Sequence, residues 1–254
     1  MSDTLFIIPG FNGSGPAHWQ SWTEARLPGA ARLHGVNWAR PDLNHWVDQA
    51  QAQVLQLRRP MWLLAHSFGC LVAATLAAVA PELIAGAVFV APAEPRRFAR
   101  DGGLRDTRLD HTPQAIPSLL DLIPHALPPS VQSVLLASEN DPWLDFFEAE
   151  AMAQGWRSHF VNLGEVGHVN TDSGYGPWPG LLQQLERLTQ KGRIDPRDWT
   201  ARRLTQNQRN LPAQPPREVR HVTINDTIHT TTYTAIPTTI STTISTTAHQ
   251  RYCA

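Results

Sequence analysis

The chain has 254 residues, 42 % of them hydrophobic, with 21 basic against 22 acidic side chains and a formal net charge of -1. That length holds one large domain, or one domain and a tail. The charge balance, with no basic run at either end, argues against nucleic acid or an anionic membrane as a partner.

Two cysteines, Cys70 and Cys253, give no disulfide framework, which suits a reducing compartment. The start, Met1-Ser2-Asp3-Thr4, shows no basic segment before an apolar stretch. No apolar run approaches the roughly 20 residues of a membrane span. A soluble, cytoplasmic protein is expected.

Thr4-Leu5-Phe6-Ile7-Ile8 is continuously apolar and β-favouring, as in a parallel strand covered on both faces. It runs into a glycine-rich loop, Pro9-Gly10-Phe11-Asn12-Gly13-Ser14-Gly15-Pro16. A phosphate cradle is a poor reading of it, because both the Gly-Lys-Ser/Thr ending and the Gly-x-Gly-x-x-Gly spacing are missing. A plain turn and half of an oxyanion hole remain as the two readings. Helical spacing follows over 17–27, with Trp19 and Trp22, then a strand over 33–38 and a helix over 44–57.

Met61-Trp62-Leu63-Leu64-Ala65 reads as a buried strand that breaks at His66-Ser67-Phe68-Gly69 and continues at helical density to Val79. A strand feeding a helix through a sharp turn with Ser at its apex is a nucleophile elbow. Gly69 supplies one of the two small residues the turn needs, and Ala65 stands where a first glycine is usual. The other reading of Ser67 is a helix N-cap. Cys70, in the apolar helix after the turn, reads as a small core residue.

A strand at 84–90 completes an alternation of strand and helix that predicts a mostly parallel sheet with helices on both faces. From 91 to 129 prolines break the pattern, with Arg96, Arg97, Arg100 and Arg105 near its start and a short helix expected around 117–123. The segment is too short for a full cap domain. Strands over 131–137 and 158–163, and helices over 145–154 and 181–188, close the domain at about residue 192. Residues 193–254 are polar and then threonine-rich, with near repeats and no periodicity that would bury a face; a disordered tail is expected there.

Three residues fall where a strand passes into a loop: Ser67, Asp141 and His168. Ligands of open parallel sheets bind beyond those strand ends, and the chain order Ser, Asp, His is that of an α/β-hydrolase. A serine hydroxyl is a poor nucleophile until an imidazole takes its proton, and a carboxylate fixes that imidazole's tautomer. The backbone N–H groups of Phe68, Phe11 and Asn12 would bind the oxyanion. Glu139 and Asp145 are rival acids, whereas His66 would point away from the hydroxyl. His18, His34 and His45 show no metal-ligand spacing, so neither metal nor cofactor is expected. Trp19, Trp143 and Trp178 are candidates to line an apolar pocket, with core packing as the alternative for each.

Gly13-Ser14-Gly15-Pro16-Ala17-His18-Trp19-Gln20-Ser21-Trp22, Ala65-His66-Ser67-Phe68-Gly69-Cys70, Ser138-Glu139-Asn140-Asp141-Pro142, Gly167-His168-Val169-Asn170 and Ser173-Gly174-Tyr175-Gly176-Pro177-Trp178-Pro179 together resemble the small serine hydrolases related to YdeN and the retinoblastoma-binding hydrolase. The resemblance covers residues 4–190. It implies a minimal α/β-hydrolase fold and a triad of Ser67, Asp141 and His168. The Leu-x-Cys-x-Glu sequence that would carry a retinoblastoma-protein partner is absent, so no protein partner is assigned. The expected activity is hydrolysis of small esters or amides through an acyl-enzyme. A non-catalytic binding module on the same scaffold is the alternative.

Overall fold

Leu5–Ile8 (β1), Ala31–Arg32 (β2), Met61–Ser67 (β3), Ile84–Pro92 (β4), Gln132–Ala137 (β5) and His159–Asn162 (β6) form one six-stranded sheet in a computed structural model that describes residues 5–105 and 118–206. The strand order is β2-β1-β3-β4-β5-β6 and every neighbouring pair is parallel. The chain leaves β1 outward to β2 and then returns to β3, so the order reverses between β1 and β3. Connections leave these two strands in opposite directions, and ligands of open parallel sheets bind beyond the carboxyl ends at such a switch point.

Alternation along each strand sends side chains to two separate cores. Phe6, Ile8, Leu63 and Ala65 pack with α2 (Leu43–Gln56), α3 (Phe68–Val79) and α4 (Phe146–Gly155). Leu5, Ile7, Trp62 and Leu64 pack with α1 (Trp19–Glu24), α5 (Pro179–Lys191) and α6 (Ala201–Leu204). The expected α/β-hydrolase arrangement, a parallel sheet covered on both faces, is therefore present. No helix among the described residues is long and apolar enough to cross a membrane.

Two expectations are corrected. The second strand is not 33–38 but the two residues Ala31–Arg32. The Leu33 amide still donates to the Ile7 carbonyl at 2.9 Å, but Gly35 at φ 75° turns the chain away from the sheet. The domain boundary expected at 192 also falls too early. Trp199 and Leu204 are fully buried members of the second core. The Leu204 carbonyl accepts from Trp178 Nε1 at 2.7 Å, and the Ile194 amide donates to Gln132 Oε1 at 2.7 Å. The polar character of 193–206 hid two apolar anchors spaced too far apart to show a periodicity.

The tail expected beyond residue 206 lies outside the described residues, as do Cys253 and residues 106–117. In the rest of the irregular segment, the chain makes two short 3-10 turns, Pro95–Arg97 and Leu119–Leu122, and two isolated bridges, Phe98 to Leu104 and Ala99 to Ser118. The second turn stands where the short helix was expected. No cap-sized layer is present among the described residues.

Candidate active site

Ser67 ends β3 and its neighbour Phe68 begins α3, with no residue between them. The turn forces Ser67 to φ 55° and ψ -125°, a region that non-glycine residues rarely occupy and that stores roughly 1–3 kcal/mol. Close approach around it excludes side chains. A Cβ on Gly69 would sit 2.3 Å from the Ile8 carbonyl oxygen, and one on Gly10 would sit 2.7 Å from the Ser67 Cβ. The glycine loop after β1 therefore lies directly against the serine. Ser67 makes no side-chain capping bond to α3, which removes the N-cap reading.

His168 reaches the serine from the loop after β6. Its Nε2 lies 2.8 Å from Ser67 Oγ, and its Nδ1 lies 2.9 Å from both carboxylate oxygens of Asp141. The His168 and Asp141 side chains are only 7 % and 4 % exposed, so water competes little for this line of hydrogen bonds. Asp141 Oδ1 also accepts from the Trp143 amide at 2.8 Å. The rival carboxylates serve elsewhere: Glu139 accepts from Asn162 Nδ2, and Asp145 caps α4 by accepting from the Phe147 amide.

The backbone donors divide differently from the expectation. Phe68 opens α3, where the first amides have no acceptor within the helix. In the glycine loop, however, the Asn12 amide donates to the Trp38 carbonyl at 2.8 Å and the Gly13 amide to the Gly10 carbonyl at 2.9 Å. Asn12 is therefore corrected: its N–H is already used, because Asn12 at φ 63° turns it toward Trp38. The Phe11 amide, next to Gly10, is not among these bonds.

The three tryptophans also separate. Trp143, half-buried, stacks on the His168 ring at 5.6 Å and 29°, and lies near Phe11, Phe98 and the Arg97 guanidinium. It forms an aromatic wall beside His168. Trp19 and Trp178 do not line a pocket. Both are fully buried in the second core, edge-to-face with each other at 5.5 Å. Their indole nitrogens donate to the Val169 and Leu204 carbonyls. Apolar character alone does not separate a wall from a core, because both need large aromatic area.

Beneath the triad lies a feature that spacing did not reveal. His66, on the strand face opposite Ser67, is buried with its ring 4.9 Å from that of His168 and 4.9 Å from that of His18. Burial first, then the nearby Arg32 and His168, lower the His18 pKa to about 3. Burial, His168 and His18 hold His66 well below the usual histidine range, against a bond to the His168 carbonyl that raises it. Both rings are neutral at any ordinary pH. Burial similarly pushes the Cys70 thiol up; its Sγ lies 3.5 Å from the Val90 carbonyl and the cysteine is free. No group of three or more metal-ligating side chains stands together among the described residues.

With this geometry in hand, comparison with known proteins is decisive at the level of family. A family model described as serine hydrolase matches residues 5–187. The chain belongs to the serine hydrolase family. A YdeN-like hydrolase from Pectobacterium atrosepticum is 33 % identical, with 76 % of this chain and 94 % of that chain covered and a TM-score of 0.62. The ydeN gene product of B. subtilis is 20 % identical, with 73 % and 98 % covered and a TM-score of 0.52. The same fold recurs in Est1E from Butyrivibrio proteoclasticus, solved with ferulic acid, at 14 % identity, 74 % and 87 % coverage and a TM-score of 0.52. The search of curated proteins finds no match.

Proposed function

We propose that this serine hydrolase cleaves small esters or amides through an acyl-enzyme on Ser67, His168 and Asp141. The observation that carries the reading is the unbroken line from Ser67 Oγ to His168 Nε2 at 2.8 Å and from His168 Nδ1 to Asp141 at 2.9 Å. Its physical content is the transfer of one proton. As Ser67 Oγ attacks the substrate carbonyl carbon, its proton passes to His168 Nε2, and Asp141 stabilises the imidazolium that forms.

The carbonyl oxygen becomes an oxyanion facing the amides of Phe68 and Phe11, each such donor being worth about 3 kcal/mol in hydrolases of this kind. Collapse breaks the bond to the leaving group, which takes the proton from His168. Water then repeats the sequence on the acyl-enzyme, releasing the acid and restoring Ser67. Trp143 offers an apolar wall to the acyl or leaving group. The free Cys70 thiol suits the expected cytoplasmic setting.

Labelling with a fluorophosphonate, read by intact mass, tests the reading. One adduct is expected, mapping to Ser67 and absent from Ser67→Ala and His168→Ala. Folded wild-type protein that takes no label would overturn the reading in favour of a binding module. A panel of esters of increasing acyl length, beside matched amides, then sets the substrate class.

A further inference from the structure

His66 and His168 stand 102 positions apart, yet the imidazole of one meets the main chain of the other. His66 Nε2 lies 2.9 Å from the His168 carbonyl oxygen. A carbonyl only accepts, so the His66 proton sits on Nε2. One residue further on, the Val169 carbonyl accepts from Trp19 Nε1 at 2.8 Å. Two consecutive carbonyls are thus held from below by two ring N–H groups, one from β3 and one from α1, and all four residues are buried.

The main chain they hold is under strain. Val169 has φ 49°, whereas Gly167 at φ 64° adopts the left-handed region without cost. A β-branched residue in that left-handed region is a clear outlier, costing on the order of 1–3 kcal/mol. Such a conformation persists only where the surroundings impose it. The His66 and Trp19 bonds fall on the two residues at the strained point, and the His168 side chain projects from there to Ser67 and Asp141.

We infer that His66, together with Trp19, is a positioning residue: its ring N–H fixes the peptide that joins His168 to the strained Val169, so that the imidazole meets Ser67 and Asp141 at once. The inference rests on the reading of His168 as general base. A neutral donor is required there. A charged group 4.9 Å from the His168 ring would oppose the imidazolium formed in the reaction. The titratable groups that meet His66 are His18, at the start of α1, and His168 itself; Trp19 packs edge-on at 5.8 Å. An imidazole kept neutral by burial supplies the N–H without the charge.

The test compares wild type with His66→Phe, which keeps a ring and loses the donor, His66→Gln, which restores a neutral N–H, and Trp19→Phe. Each is assayed for kcat and KM on p-nitrophenyl acetate. Proton NMR follows the downfield resonance of the hydrogen between His168 Nδ1 and Asp141. His66→Phe should lose about 10- to 100-fold in kcat with KM changed less than about threefold, and its downfield resonance should shift or broaden. His66→Gln should recover most of both, and Trp19→Phe should fall between.

Wild-type kcat and an unmoved resonance in His66→Phe would overturn the inference. So would losses in kcat equal in Phe and Gln with the resonance unmoved in both. Should His66→Phe not fold, Trp19→Phe decides: an unchanged kcat and resonance there overturns it. A wild type that neither turns over ester nor takes a fluorophosphonate at Ser67 would sink the hydrolase reading, while the resonance would still report on the positioning of His168 in the same samples.

Discussion

Ser67 is held by its immediate neighbours in the chain, whereas the His168 loop is held by residues 27 to 150 positions away. The elbow follows from a strand, Met61–Ser67, that passes without a spacer into a helix, Phe68–Val79, and from a glycine two residues past the serine. The His168 loop has no such local logic. Its Gly167 amide donates to Asn140 Oδ1 at 2.6 Å and its Val166 amide to Ser138 Oγ at 3.0 Å. The next two carbonyls are taken by His66 and Trp19. One half of the site is a turn; the other is suspended from three separate parts of the fold. The lesson is that a site can combine a cheap local element with an assembled one, and that the two should fail differently.

The largest expected effect sits beneath the suspended half. A chain ended at Gly192 loses Trp199 and Leu204, which pack beside Trp178 under the His168 loop. The loss should cost about 3–5 kcal/mol, or roughly 6–20 °C in Tm, whereas a chain ended at Gln206 should melt close to the full chain. Equal melting of the two shortened chains in a thermal scan would show that 193–206 contributes nothing to the core.

Next comes the elbow. Gly69→Ala drives a Cβ into the backbone oxygens of Ile8 and Pro9, at 2.3 and 2.6 Å, so β1 must move. Destabilisation of about 3 kcal/mol is expected, and kcat should fall with stability because the serine cannot hold its place. A Tm within about 2 °C of wild type would mean that the strand and helix can separate freely, and the contrast with the loop would weaken.

A smaller effect should separate activity from stability. Asn140→Ala leaves the Gly167 amide and the Ser138 hydroxyl without their shared acceptor. A stability loss of about 1–2 kcal/mol is expected, together with a fall in kcat of about 10-fold or more at nearly constant KM. Loss of stability with unchanged kcat would show that this end of the loop does not set the His168 position.

A probe that leaves the chain unaltered is pH. His18 is neutral in the folded chain down to about pH 3, and His66 is likewise depressed, while both take up protons near pH 6.5 once unfolded. Below about 6.5 the unfolded chain therefore binds more protons than the folded one, and stability must fall as pH falls. The slope should approach about 1.4 kcal/mol per pH unit for each histidine and should shrink in His18→Gln. Denaturant melts between pH 6.5 and 4 would read it, and a slope unchanged in His18→Gln would contradict the buried neutral ring.

Much of this was legible in the sequence because the signals are local. Alternating strands and helices announce a parallel sheet, and apolar β3 followed by small residues announces the elbow. The positions of Asp141 and His168 at strand ends announce where a carboxylate and an imidazole meet a serine. Trp19, Trp178 and Asn12 were misplaced for one reason. Composition says that a group is apolar or has a free N–H, but not which layer it enters or which carbonyl it finds. Trp199 and Leu204 were lost in a polar stretch because two anchors have no period.

The sequence by itself determined the fold class, the elbow and the order of serine, carboxylate and histidine, since each follows from spacing along the chain and from the chemistry of a few residue types. Only the tertiary structure decided that Trp38 takes the Asn12 amide, which tryptophans join the core, and what holds His168. Those depend on hydrogen bonds and contacts between strands and loops brought together by the reversal of order at β1 and β3, and no local stretch of the chain records such a meeting.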